Sequence, residues 1–439
     1  MKNILLVYLP FCTPATPPYS LTNLYSFLKA NSDDNIQVLD LNLEFHKNKF
    51  SEFQKYYHDM NWDNYDKKTL EYLKVTGKTY SENNKKVVAG LKPELLDEYL
   101  KKINSFNPDV VAFSIVYSSQ VFYAYSLIKE LKVKTVVGGP AVNDKLKDIS
   151  TFLKNEIELL EFVGGKVKNY DVVLDYSIYN LKDYFTPKPV IPIKTASSCY
   201  YKQCTFCTHF NDVNYCEFNL ENIKKSIIKS KQKYFFLIDD MISKKRLLEF
   251  AKLVKPLNIY WTCQLKPLKE FDLNTLKILY DSGLIMIMWG VESGSDRILK
   301  LIKKGTNVKD IKQVLKDSYN VGIKNIAYTI IGFPTETKEE FLETIDLLEQ
   351  SNVDLVSFSV FGLHEGTEIF NNPKKFSIIK ILKEKRTILG DKITYEVSEG
   401  LNCKQASKLK NNYQKTIEKI NKFPKTMNFF REHMFVLIK

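Results

Sequence analysis

The sequence predicts an α/β chain. A doubly wound parallel sheet comes first, a partial (β/α)6 barrel follows, and a C-terminal helical segment closes the chain. Three observations predict this. Short apolar runs recur with helical periodicity between them. A Tyr- and Pro-rich stretch over 175–192 splits the series in two. A chain of 439 residues has room for about three domains.

Ile4 to Leu9 reads as a strand that ends at Pro10, and Pro17-Pro18 then lead into a helix from Tyr19 to Lys29 whose apolar residues are Leu21, Leu24, Tyr25 and Leu28. Ile36 to Leu41, Val110 to Val116 and Thr135 to Gly139 are further strands, with a helical pattern from Val121 to Leu131 between the last two. Such alternation implies a parallel sheet. Residues 47–105 read as a charged, Tyr-rich helical insertion that lids the site, within a first domain of 1–175. The barrel is expected over 190–371. Its strands are Tyr234 to Ile238, Ile259 to Thr262, Ile285 to Val291, Ile326 to Ile331 and Leu355 to Phe361. Thr337 with Glu340 forms a capping box ahead of Phe341. Functional residues of a barrel belong at the carboxyl ends of its strands. Residues 372–439 read as a helical, basic segment.

Composition excludes several classes. With 44% hydrophobic and 26% charged residues the chain is globular rather than disordered. The longest apolar runs, Leu284 to Val291 and Ile326 to Phe333, fall far short of the ~20 residues that cross a bilayer. Met1 to Pro10 is too short for a secretory signal, so a cytoplasmic chain without a membrane span is expected. The net charge of +13 comes mostly from scattered Lys, thickened after Lys404. No Arg clusters interleave with aromatics, which favours a solvated surface over a nucleic-acid interface.

Seven cysteines, three of them within residues 199–207, do not read as a disulfide framework. Cys199, Cys204 and Cys207 lie in one loop after the first barrel strand and read as a metal or cluster site. Two ligand sets fit the residues. Zinc would take His209 as a fourth ligand, whereas a four-iron cluster on three thiolates would keep one iron open. Cys12, Cys263 and Cys403 are scattered, as small buried hydrophobes are, whereas Cys216 lies close enough to the cluster loop to stand apart from that reading.

Further motifs close later strands: Asp239-Asp240, then Gly290-Val291-Glu292-Ser293-Gly294-Ser295-Asp296, then Ile331-Gly332-Phe333-Pro334-Thr335-Glu336-Thr337. With the cysteine triad, and in this order, they resemble the radical S-adenosylmethionine superfamily, in its branch with an N-terminal cobalamin-binding-type domain. The resemblance spans about residues 1–375. It implies a 4Fe-4S cluster on the three cysteines, with the methionine moiety of S-adenosylmethionine chelating the open iron. Phe206 is then expected near the adenine, and Asp239 and Asp240 near the methionine amino group. Gly290, Glu292, Ser293 and Gly294 are expected at the ribose and carboxylate, and Gly332 and Phe333 on the adenine side. One departure is the four residues between Cys199 and Cys204, where the family usually has three. Lys266, near where relatives carry Arg, is expected to make a polar contact inside the barrel.

The first domain resembles a cobalamin domain at Pro17-Pro18-Tyr19-Ser20-Leu21, at Asp40, at Ser114 to Gln120 with Tyr117 and Ser118, and at Val137-Gly138-Gly139-Pro140. The Asp-x-His-x-x-Gly signature is absent from the loop after the first strand, so the resemblance implies cobalamin held without a histidine from the protein. The implied activity is cobalamin-dependent methylation of an unactivated carbon through a 5′-deoxyadenosyl radical. Two alternatives are an epimerase, cyclase or rearrangement enzyme with a degenerate cobalamin domain, and a non-catalytic metal scaffold. The expected partners are a small-molecule or peptide substrate and an electron donor such as flavodoxin or ferredoxin.

Overall fold

The computed structural model describes residues 1–208 and 213–439. It forms two compact units, one of residues 1–192, 221–231 and 385–392, the other of residues 193–220, 232–384 and 393–439.

In the first unit the strands are β1 (Asn3–Tyr8), β2 (Asn35–Asp40), β3 (Val110–Ser114), β4 (Lys134–Gly138) and β5 (Thr151–Phe152). They pair in the order β2-β1-β3-β4-β5, and every neighbouring pair is parallel. The chain leaves β1 toward β2 and then crosses to the other side for β3. That reversal leaves a crevice at the carboxyl ends of β1 and β3, where sheets of this kind bind ligands. Tyr8 stands level there with Asp40 and Ser114, and Ser114 with Gly138. The four expected strands appear, together with a two-residue fifth too short to show in a pattern.

Helix α1 (Tyr19–Asn31) follows β1, and the helices α2 (Leu41–Lys49), α3 (Ser51–His58), α4 (Tyr65–Val88) and α5 (Leu96–Ser105) fill the chain between β2 and β3. Aromatic packing seats this insertion. Tyr72 of α4 packs on Phe50, Phe53 and Tyr57, and Tyr80 packs on Phe11 at 5.7 Å, in the loop after β1. The buried His46 ring has Nδ1 2.7 Å from the Tyr72 hydroxyl, and burial pushes its pKa down to about 3, which keeps it neutral. Helix α6 (Val121–Glu130) matches its expected span.

The second unit is built on a six-stranded open sheet, whose first strand begins in the last residues of the stretch 1–192. Its strands are β6 (Val190–Ile193), β9 (Tyr234–Leu237), β10 (Tyr260–Leu265), β11 (Leu284–Glu292), β12 (Lys324–Ile331) and β13 (Leu355–Val360), in that spatial order from one edge to the other. Between β6 and β9 a small pair, β7 (Ala196–Ser197) and β8 (Cys216–Glu217), forms an antiparallel bridge. Strand β6 lies in what reads from the sequence as linker. Pro192 is tolerated there because β6 is an edge strand with one unpaired side. The capping box at Thr337 is present in both directions, with Glu340 N donating to Thr337 Oγ1 at 3.3 Å and Thr337 N donating to Glu340 Oε2 at 3.0 Å.

The C-terminal region corrects the expectation of a helical segment. It opens with a hairpin of β14 (Ile378–Glu384) and β15 (Lys392–Val397) before the short helices begin. The stretch 393–439 belongs to the same compact unit as the sheet. There it covers the other edge strand. Val356 N donates to Asn421 Oδ1 at 2.8 Å, and Asn428 Nδ2 donates to Val356 O at 2.7 Å, so β13 is not left as an open template. Among the described residues no helix is long and apolar enough to cross a membrane.

Candidate active site

The cysteine loop starts from a clamp. Asp239 is fully buried, and its Oδ1 accepts from Thr195 N, Thr195 Oγ1 and Ala196 N at 2.8, 2.9 and 2.7 Å. On the other side Arg246 Nη2 donates to Thr195 O at 2.8 Å. Burial raises the Asp239 carboxyl to about 6 against the pull of these donors. Asp239 therefore positions the loop, and its donors occupy the oxygen that the resemblance assigns to an amino group. Asp240, half-buried, directly follows Asp239 in the loop after β9.

Beyond the clamp the loop turns through left-handed backbone at Ser198 (φ 60°) and Lys202 (φ 53°). Three backbone-level ties then hold it. Tyr201 Oη donates to Lys303 O at 2.8 Å, Thr205 N donates to Ile302 O, and Ile369 N donates to Thr205 O, both at 3.1 Å. Cys199, Cys204, Cys207 and Phe206 are all half-buried. Among the described residues, no three His, Cys, Asp or Glu side chains gather tightly enough to hold one metal ion. His209 lies outside the described residues.

Two buried ammonium groups flank Cys204. Lys266, at the end of β10, lies over the Tyr201 ring at 2.9 Å from its centroid, and burial brings its pKa down to about 8. Lys304 Nζ sits 2.5 Å from Glu292 Oε1, with both side chains nearly inaccessible. Burial alone would lower the Lys304 pKa, but Glu292 and Cys204 outweigh it and hold it above the ordinary value. The Cys204 thiol is pushed up by burial and drawn back by Lys304 and Lys266. A thiolate at this position is therefore charge-compensated, which suits ligation to iron.

The strand-end motifs divide into those that shape this pocket and those that brace it. Glu292 stands in left-handed backbone (φ 62°) where the register of β11 against β12 shifts. Gly290 makes room for its ion pair, since a Cβ there would lie 2.8 Å from both Glu292 Oε1 and Lys304 Nζ. Ser293 and Gly294 instead pack on the helix Lys338–Glu349, with Gly294 N donating to Thr344 Oγ1 at 2.8 Å. Gly332 (φ 75°) directs its N–H at Glu336 Oε2, and Phe333 is buried against Phe361 and Phe376. The structure therefore gathers Cys199, Cys204, Cys207, Lys266, Gly290, Glu292 and Lys304. It places Ser293, Gly294, Gly332 and Phe333 in the supporting packing. Lys304 escapes the sequence reading because the second lysine of a Lys303-Lys304-Gly305 run has no signature of burial.

In the first unit Tyr117 is 52% exposed at the end of β3, and Ser118 opens a short 3-10 turn. Gln120 ties this loop to the one after β1, its Nε2 donating to Leu9 O at 2.7 Å and its Oε1 accepting from Val116 N at 2.8 Å. Asp40 accepts from Leu43 N and the Tyr184 hydroxyl, each at 2.9 Å, and burial pushes its carboxyl up to about 6. Gly139 (φ 113°) has no room for a Cβ, which would lie 3.0 Å from the Ile115 carbonyl carbon; one on Gly138 would meet Leu153 O at 3.0 Å. Close backbone packing accounts for both glycines.

Known proteins resemble this chain in sequence and in fold. Residues 193–348 match the Radical SAM superfamily. An uncharacterized methyltransferase of Pyrococcus horikoshii is 24% identical over 345 residues, covering 66% of this chain and 74% of the relative. Among solved structures, the radical S-adenosylmethionine methyltransferase TsrM from Kitasatospora setae, with cobalamin and a [4Fe-4S] cluster bound, aligns at a TM-score of 0.58 and 13% identity over 84% of this chain and 74% of that one. The cobalamin-dependent S-adenosylmethionine radical enzyme OxsB, with aqua-cobalamin bound, aligns at 0.61 and 14% identity over 95% and 67%. At such identities the likeness is one of fold.

Proposed function

We propose, from the premise that residues 193–348 form a radical S-adenosylmethionine domain, that this chain is a radical enzyme with a 4Fe-4S cluster on Cys199, Cys204 and Cys207. We further propose that it uses cobalamin to methylate an unactivated carbon of a small molecule or peptide. The observation that carries the reading is the pair of buried ammonium groups, Lys266 and Lys304, beside Cys204 in a three-cysteine loop at the strand ends. Such a cluster with S-adenosylmethionine supplies one-electron cleavage to a 5′-deoxyadenosyl radical, which takes hydrogen from carbon. The protein's own part is electrostatic and geometric. Lys266 and Lys304 offset thiolate charge, Asp239 and Arg246 fix the start of the loop, and Glu292 keeps Lys304 charged at the pocket wall.

Cobalamin would sit at the carboxyl edge of the first sheet, along the loop of Tyr117 and Ser118. The strand order with its β1/β3 crevice and the exposed Tyr117 ring support this. A second reading, a non-methylating radical enzyme with a first unit that binds no corrin, draws on Gly138 and Gly139, whose missing Cβ atoms are explained by packing alone. Anaerobic reconstitution tests both. The proposal expects iron bound to the triad, 5′-deoxyadenosine formed from S-adenosylmethionine under reduction, corrin bound without protein histidine, and methyl label reaching the substrate. Absence of corrin binding with 5′-deoxyadenosine still formed selects the second reading. Absence of both products with a single bound zinc overturns the first.

A further inference from the structure

The two faces of the second sheet are covered differently. On one face β12 meets the helix Val308–Asn320, where Asn325 accepts from Ser318 Oγ at 2.7 Å and donates to Leu315 O at 3.0 Å. The opposite, inner face is crossed by the helix Arg431–Leu437. Arg431 Nη1 donates to the Tyr328 hydroxyl of β12, with the guanidinium carbon 5.5 Å from the Tyr328 ring centre, and Phe435 packs on Tyr234 of β9 at 5.4 Å. Met434, Phe435 and Val436 are fully buried, so this helix closes the inner face near the starts of the strands. Nearer the strand ends the same face is open. Gln264, Tyr328, Ile330 and Ser357 are half-buried there, and Ser359 is exposed. Tyr328 stands in register with Ser357 on one side and, on the other, with Gly290, the residue whose missing Cβ makes room for Lys304. Strand β12 ends at Ile331, three residues beyond Tyr328, so the Arg431 level lies about 10 Å below the strand ends.

We propose that the substrate of this enzyme carries a carboxylate and that Arg431 holds it at the floor of the inner face, with the rest of the molecule reaching toward the cysteine loop. The proposal rests on the radical reading above and names its substrate class. A guanidinium presents paired N–H donors in one plane, which match the two oxygens of a carboxylate. One positive charge in a half-buried site suits a singly charged anion, whereas a phosphate dianion would leave negative charge out of water. Gln264 and Ser357 add hydrogen-bonding groups without adding charge. Glu432, the next residue, is the carboxyl of the chain that competes for Arg431. Burial raises it above its ordinary range despite the pull of Arg431, which weakens it as a competing anion. A depth of about 10 Å admits a small acid or the last two or three residues of an extended peptide, at about 3.3–3.6 Å each.

Ligand-observed NMR on the full-length protein tests this. The probes are phenylacetate, N-acetylphenylalanine as a peptide terminus, the primary amide of each, and phenyl phosphate. At least one acid is expected to bind about ten-fold or more tightly than its amide. Arg431→Gln should remove that preference, and Arg431→Lys, which keeps the charge without the planar fork, should restore part of it. Tighter binding of phenylacetate supports a free acid as the source of the carboxylate, and tighter binding of N-acetylphenylalanine supports a peptide terminus. Acid and amide bound alike by the wild type, with a lowered melting temperature in Arg431→Gln, would mean that the guanidinium only packs, and overturns the proposal. Preference for phenyl phosphate overturns it too, as does binding of neither acid at about 10 mM. The comparison of acid with amide needs no variant, so it stands even where a substitution at Arg431 unfolds the chain. A protein that binds the acids through Arg431 but forms no 5′-deoxyadenosine after reconstitution overturns the radical reading and leaves the carboxylate subsite intact.

Discussion

Glu292 and Lys304 are the residues whose roles depend most on each other. A buried pair is not by itself a strong stabiliser, but removing one partner strands the other charge. Lys304→Met should therefore cost about 3–5 kcal/mol in urea unfolding, and adding Glu292→Gln should recover most of that loss. Recovery that fails to appear would mean that Lys304 packs rather than neutralises. Cys204→Ala, by contrast, should leave stability nearly unchanged and abolish the broad absorption near about 400 nm of the reconstituted protein. Glu336 belongs to another case. It is fully buried, and burial pushes its carboxyl from 4.5 up to about 8. The folded protein then holds a proton that the unfolded chain releases, so on this account stability is greatest below pH 4.5 and falls as pH rises toward about 8. Urea midpoints across that window should decline in the wild type and flatten in Glu336→Gln.

At the scale of elements, local sequence gave good guidance wherever one periodicity was unopposed. The strands β9 to β13 begin and end within about two residues of the apolar runs that announce them, apart from the three-residue extension of β10 to Leu265. The capping box at Thr337 is equally local, and Thr337→Ala should cost about 1 kcal/mol of thermal or urea stability. Where the periodicity misled, the reason is visible. Ile378, Ile381 and Leu382 stand at helical spacing, yet the segment is a strand of a two-stranded hairpin with Ile379 and Leu382 facing solvent. Strand β6, expected ahead of the cysteine loop, begins inside the Pro-rich stretch that reads as linker, and an edge strand accepts the proline.

For the whole molecule, the strand order of the first unit leaves a crevice at the ends of β1 and β3, and Tyr117 stands in the loop that follows β3; the proposed corrin would meet it there. Tyr117→Ala should weaken hydroxocobalamin binding, read from the corrin spectrum, while leaving iron content and melting temperature unchanged. Gly139→Val should do the reverse of a clean binding variant. Its φ of 113° and its approach to Ile115 mean that the fold is strained first, and the melting temperature should drop before any ligand is added.

The sequence alone determined the alternation of strands and helices, the division into a doubly wound sheet and a barrel-type sheet, and the grouping of Cys199, Cys204 and Cys207 in one loop. These are properties of neighbouring residues, and period and spacing express them directly. Only the tertiary structure decided which strand-end residues wall the pocket and which brace it. Glu292 meets Lys304 across 12 positions, Lys266 meets Tyr201, and Asp239 closes on Thr195 across 44. Each meeting depends on sheet register and on the path of a loop through left-handed backbone, so the burial that turns a lysine into a charge partner arises only when the strands are in place.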